Sequence, residues 1–340
     1  MKKSIIILTF IFVWCQQSWS QQDVHYSQFF NAPLIYNPGT TGVIDGDFRT
    51  YFNFRSQWAS IVTSPYVSKS FSIDAPMIGE SDEGSFFGIG INIHDDIAGD
   101  SQLKSTNYGL SVNYCLELDR SSYLGFGIKG GLLQRKINYN DLLWSNQFVV
   151  DHFDVTRESG ETTAKDAASA IDLGSGIYYY NKINQEFRLF GGVAAEHLNA
   201  PNISFLGATE RYLRKYYGHM GAEIRKKNTN LSYLPNLMLM WQGNNRYLNV
   251  GTEVKFVLNS GSRMTGYYKE IFMAGGLFYR WGDAAYVTAR FKYDEFGFGA
   301  SYDLNVSSLS ANAGSAGAFE FMFTYQPAFT DRAKLKKMFD

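Results

Sequence analysis

The chain has 340 residues, 31 Lys and Arg against 32 Asp and Glu, and a formal net charge of -1, so no excess of positive charge invites a polyanion such as nucleic acid. Aromatic residues make up 16%, with 23 Tyr, 27 Phe, 32 Gly and only 7 Pro. No linker or charge block divides the chain, which reads as one continuous architecture rich in the residue types of closely spaced strands.

Lys2 and Lys3 precede a run from Ile5 to Trp14 that is apolar except for Thr9, and Ser18-Trp19-Ser20 supplies small residues before a cut at Gln21. That pattern predicts a signal peptide over residues 1–20. Trp14 is too bulky before Cys15 for the lipid-anchor alternative. The cut removes two lysines and no acids, taking the net charge to about -3, and leaves Cys115 as the only cysteine, so no internal disulfide is expected. Beyond the leader no stretch reaches the ~18 apolar residues of a membrane helix.

Residues 21–47 form an N-terminal segment, periplasmic or lumen-lying. Tyr26, Phe29, Phe30 and Tyr36 lead into the turn signal Asn37-Pro38-Gly39-Thr40-Thr41-Gly42. Strands follow at Phe48–Ser56, Val67–Ala75, Phe86–Asp95, Thr106–Leu118 and Ser121–Gln134. In the fourth, Tyr108, Leu110, Val112, Tyr114 and Leu116 take one face and Asn107, Ser111, Asn113 and Glu117 the other. After an interruption from Arg135 to Ala170, strands resume at Ile171–Tyr180, Phe187–His197, Tyr216–Lys226, Leu234–Gln242, Arg246–Leu258 and Glu270–Trp281. The last three are the most regular: Ala284–Tyr293, Phe296–Leu304 and Phe319–Gln326 alternate apolar and polar residue by residue, with Gly282-Asp283 and Asp294-Glu295 as turns. The sum is fourteen.

A soluble sandwich also alternates, so alternation alone leaves two folds open. Leader, strand length, even count, aromatic content and the placing of the longest connections at one end favour the other: an all-β, transmembrane, antiparallel up-and-down β-barrel over residues 48–326. Phe319, Phe321, Phe323 and Tyr325 would then face lipid, and Tyr286, Arg290, Lys292 and Asp303 the lumen. The last strand would pair with the first, because an open edge is not tolerated in hydrocarbon.

Signals for chemistry are thin. His94-Asp95-Asp96 sits at a strand end, where neighbours point to opposite faces. Asp151-His152-Phe153-Asp154 has no second His or Cys at ligand spacing. His219 reads as a lumen residue beside Glu223 and Arg225. Gly125-Phe126-Gly127 lacks the βαβ setting of a dinucleotide site. The expectation is a protein without catalytic residues, metal or cofactor. The interruption is more informative: Leu142, Leu143, Trp144, Phe148, Val149, Val150 and Phe153 are too apolar for a loop that meets only water. They would either pack on the barrel mouth or form a partner-docking loop. Residues 327–340, with Arg332, Lys334, Lys336 and Lys337, read as a weakly basic periplasmic tail.

Short motifs spread over the chain resemble the PorP/SprF family of the type IX secretion system. They are Tyr26-Ser27-Gln28, Tyr36-Asn37-Pro38 with Gly42, Arg55-Ser56-Gln57-Trp58, Phe278-Tyr279-Arg280-Trp281-Gly282-Asp283-Ala284, Gly299-Ala300-Ser301-Tyr302-Asp303 with Ser307-Ser308-Leu309, and Gly317-Ala318-Phe319-Glu320. The chain departs from the family at Gly39, where Ala is common, and at Phe319, where His often precedes the Glu. The resemblance implies a non-enzymatic outer-membrane barrel of a Gram-negative bacterium. It would support secretion and surface anchoring of a large adhesin with a distinctive C-terminal signal domain, docked on loops and lumen. Two alternatives stay open: a core type IX component linked to periplasmic peptidoglycan-binding proteins, and a general diffusion porin.

Overall fold

The computed structural model describes residues 25–328, apart from 60–61, 78–83, 100, 140–141, 161–164, 206, 208, 261–268 and 307–315. The predicted leader, most of the C-terminal tail and Ser307-Ser308-Leu309 lie outside the described residues.

The alternating segments form β1 (Arg49–Gln57), β2 (Tyr66–Met77), β3 (Phe86–Ala98), β4 (Leu103–Asp119) and β5 (Ser122–Lys136). A small hairpin, β6 (Phe148–Val149) and β7 (His152–Phe153), interrupts the series. It resumes with β8 (Ala167–Lys182), β9 (Phe187–Glu196), β10 (Lys215–Arg225), β11 (Leu231–Gln242) and β12 (Asn245–Asn259). The last are β13 (Ile271–Arg280), β14 (Ala284–Tyr293), β15 (Phe296–Asn305) and β16 (Ala316–Tyr325). All but the small hairpin close into one antiparallel barrel of fourteen strands, in which each strand pairs with its neighbours in sequence. Closure is made by β16 on β1, from Thr50 opposite Tyr325 to Gln57 opposite Ala318.

Exposure decides between sandwich and barrel. A soluble sandwich hides its apolar face; here Ile128 is 67% exposed while the neighbouring Lys129 is 3% exposed. The inversion recurs along the wall: Leu110, Leu173, Leu277, Phe319 and Phe321 face outward, while Ser111, Asp172, Thr288, Asp303 and Glu320 are buried inside. Only a lipid surround makes an apolar exterior favourable, and only a closed wall satisfies every backbone group there.

Several boundaries differ from those the sequence predicts. β3 and β4 run on to Ala98 and back to Leu103, so the expected loop from Asp96 to Ser105 shrinks to Gly99–Gln102. β11 begins at Leu231, three residues before the expected Leu234, and runs through Pro235. Its missing N–H interrupts only the pairing to β10 between Asn236 and Tyr233, while pairing to β12 continues through Pro235 opposite Thr252.

The connection from β9 to β10 also departs from the expected outer loop. Ile203 and Tyr212 turn inward and pack on Leu133 of β5. Tyr212 lies edge-on to His197, whose Nδ1 is 2.8 Å from Asp172, so this loop folds over part of the mouth.

Candidate functional site: a lumen filled by the N-terminal segment

Residues 26–43 are buried, apart from the partly exposed Phe30, Asn31 and Pro33, and touch inward-facing side chains of strands from both sides of the barrel. A segment in contact with opposite walls of a closed barrel lies inside it. Ser27 meets β1, β13, β14, β15 and β16; Asn37 meets β8 and β10; Thr41 meets β4. The segment begins near the outer ends of β12 and β13, where His25 lies by Tyr247 and Ser27 by Arg280. It leaves at the inner rim, where the Asp47 amide donates to the Pro327 carbonyl (2.8 Å) and the Gln326 side chain to the Asp45 carbonyl (2.8 Å).

Its first turn is held by four charged side chains of the wall. Glu320 accepts from the backbone amides of Ser27 (2.7 Å) and Gln28 (2.9 Å), from Asn53 (3.0 Å) and from Arg55 (3.2 Å). Asp303 accepts from the Ser27 hydroxyl (2.7 Å) and pairs with Arg55 (2.9 Å) and Arg280 (3.0 Å). Both guanidinium groups also donate to the Ser27 oxygen, and the Tyr286 hydroxyl donates to the Ser27 carbonyl (2.8 Å). Two cations and two anions thus close a neutral network around one serine, with side-chain exposure of at most 2%. Such a network is stable only while complete, because removing one member strands a buried charge.

Aromatic packing continues inward. Phe30, Phe278 and Tyr286 stack in sequence at 5.1 and 5.2 Å, and Phe29 sits edge-on to Phe278. Pro33–Tyr36 forms one helical turn, and the Tyr36 hydroxyl accepts from the Tyr26 amide (2.8 Å). Asn37 caps the next turn through the Gly39 amide (2.8 Å) and donates to the Ile177 carbonyl (3.0 Å). The Asn113 side chain donates to the Thr41 carbonyl (2.9 Å), and the Gly42 amide donates to Asp74 (2.8 Å).

Two wall glycines explain how the backbone fits. A Cβ on Gly127 would overlap Pro38, and one on Gly88 would overlap Thr41. Strand glycines normally weaken a sheet; these leave the groove through which the segment crosses. A cavity of about 270 Å³ remains between the segment and the wall, bounded by Phe29, Tyr36, Tyr178, Phe190, His219 and Met238.

The other predicted positions fall elsewhere. His219 stacks on Tyr178 and lies 3.0 Å from Asn37, a contact between wall and segment. Asp151 and His152 form an exposed pair, and among the described residues no three His, Cys, Asp or Glu gather as metal ligands. Of the seven apolar loop residues, Leu143, Phe148, Val150 and Phe153 are exposed and Leu142, Trp144 and Val149 half-buried. Phe148 and Phe153 contact each other across the hairpin at 5.0 Å, and Val150 at its tip is 92% exposed with a left-handed backbone.

A fourteen-stranded wall, apolar outside and polar within, defines this molecule as an outer-membrane β-barrel, here with its N-terminal segment inside the lumen. Residues 18–325 match the family described as type IX secretion system membrane protein PorP/SprF, and the chain belongs to that family. No curated protein matches it. Among solved structures it is similar to the toluene transporter TbuX of Ralstonia pickettii, at 9% identity over 88% of this chain and 94% of that one, with a TM-score of 0.53. It is similar also to the toluene transporter TodX of Pseudomonas putida, at 11% identity over 86% and 91%, with a TM-score of 0.50. These likenesses concern the fold alone.

The family motifs meet at one place. Ser27 and Gln28 come from one short motif and Arg55, Arg280, Asp303 and Glu320 from four others, and all six touch the same buried network. What the sequence carries as scattered motifs is, in space, the joint between segment and wall.

Proposed function

We propose that this protein is a non-enzymatic scaffold barrel of the type IX system that supports secretion and surface anchoring of one particular partner, a large adhesin with a distinctive C-terminal signal domain. The partner docks on the outer loop. The observation that carries this reading is the exposed apolar hairpin at Phe148–Phe153, flanked by Leu143, on a rigid wall whose lumen is already occupied. Apolar side chains held in water at a loop tip cost stability unless a partner covers them, and loops on rigid scaffolds are where binding residues concentrate. Since the segment fills the lumen, the loops are the surface left for docking.

The segment in the lumen also argues against a permanently open diffusion porin. The alternative of a core component bound to periplasmic peptidoglycan-binding proteins rests on the tail, most of which lies outside the described residues. The readings separate in cells carrying Leu143→Asp, Val150→Asp and Phe153→Asp together. The barrel should remain in the outer membrane at normal level while the surface adhesin is shed into the medium and no longer co-purifies. Full surface retention with the triple variant would sink the docking assignment.

A further inference from the structure

The wall of the lumen completes its own charge pairing without the segment. Arg55 bonds both Asp303 and Glu320, Arg280 bonds Asp303, and Arg290 pairs with Glu253, which also accepts from Thr288 (2.7 Å). Every one of these partners belongs to a strand. The segment, in contrast, carries no Asp, Glu, Lys or Arg from Tyr26 to Ile44. It adds hydroxyls, amides and rings to a network that is already neutral. Taking it away strands no charge, which is the expensive event in a buried network. Glu320 would keep Arg55 and Asn53, and Asp303 would keep both arginines.

What would remain is a polar tube. Asn53, Ser70, Asn92, Ser111, Asn113 and Ser301 are buried only because the lumen is filled or narrow there; they are side chains that water satisfies. The glycine groove at Gly88 and Gly127 would become free width. Nothing covalent fixes the segment, because Cys115 is the sole cysteine among the described residues and is unpaired. Phe29, Leu34, Ile35 and Tyr36 keep it in place by burying apolar surface, so the filled state dominates at rest.

We propose that the N-terminal segment is a displaceable stopper, and that with residues 25–44 withdrawn toward the inner rim the barrel conducts water and small ions. The hinge is the stretch from Asp45 to Phe48, where the segment leaves the lumen and joins β1. This is an activity separate from partner docking, and its failure would leave the docking reading standing.

The test uses the full chain in planar bilayers, in a Cys115→Ala background. Asn37→Cys with Gly176→Cys places two thiols across the joint, since a Cβ on Gly176 would lie 3.0 Å from the Asn37 side-chain carbon Cγ. Oxidised, this pair should hold the barrel silent. Reduction of the same sample should raise its time-averaged conductance roughly tenfold or more, as expected when a minor open state is no longer forbidden. Gly127→Leu, which overlaps Pro38, should conduct steadily without any reductant. Folding of each variant is checked by heat-dependent gel mobility. Conductance indifferent to oxidation, or a folded Gly127→Leu barrel that passes no current, would overturn the proposal and put the barrier in the wall or in the loop over the mouth.

Discussion

Two apolar stretches outside the barrel strands meet opposite fates. Residues 26–44 and residues 142–153 both carry several aromatic and aliphatic side chains, yet the first is buried in the lumen and the second stands in water at the outer end. The difference lies in what each one faces. Opposite the first, the wall supplies two glycines that admit its backbone, a row of rings, and acceptors placed for the amides of Ser27, Gln28 and Gly42. Among the described residues nothing opposite the second offers such a complement; Gln147 alone of the loop's short 3-10 turn is buried, bonded to the Arg157 carbonyl. Apolar content by itself therefore does not say where a segment goes. Complementary polar groups and backbone clearance do.

The contrast can be broken most forcefully at Arg55. Arg55→Ala leaves Asp303 and Glu320 each short of a cation in a site nearly closed to water, at a cost of about 3–5 kcal/mol. The temperature at which the barrel loses its compact gel form should fall well below that of the parent. Lys227→Ala, which removes an exposed partner 3.6 Å from Glu186, should change stability by less than about 1 kcal/mol and serves as the control. Next in size is Gly127→Leu, where overpacking costs about 1–3 kcal/mol and falls on the segment instead of the strands. Protease sites between residues 25 and 44 should become cleavable while the barrel stays heat-resistant.

The triple aspartate hairpin variant should act the other way round. It touches no contact of the barrel, so melting and gel mobility stay within about 0.5 kcal/mol of the parent while partner retention is lost.

The smallest effect is set by pH. Burial, and then the charge of Arg280, hold the His25 imidazole well below its ordinary value of 6.5. The cation is thus disfavoured when the segment is docked and forms freely when it is not. Docking has its full strength above about pH 6.5 and weakens as pH falls through and below that value, because the undocked form then binds the extra proton. Proteolysis of the segment should rise from pH 7 to pH 5 in the parent, and His25→Gln should flatten that rise.

Much of the wall was legible because each strand has lipid on one side: a period of two over ten residues survives in Ala284–Tyr293 and Phe296–Asn305 without knowledge of any neighbour. The network was legible only as parts. Asp303 and Arg290 read as lumen residues from alternation, but Ser27 and Glu320 are 293 positions apart, and no local pattern says that they touch. The sign available in sequence was a short uncharged aromatic run before β1 together with glycines on the inward face of β5. The loop from His197 to Arg214 went unread for a similar reason: Ile203 and Tyr212 are isolated apolar residues in a polar connection, and only Leu133 on a distant strand gives them a place.

Backbone amide exchange on the full chain in lipid nanodiscs compares the two stretches in one experiment. Peptides covering residues 25–44 should be protected far longer than residues 142–153, which exchange among the fastest in the chain, yet less long than β1 and β16, whose amides open only with the barrel. If residues 25–44 instead exchange as quickly as the outer loop, the segment does not fill the lumen, and the account of a closed scaffold barrel is contradicted.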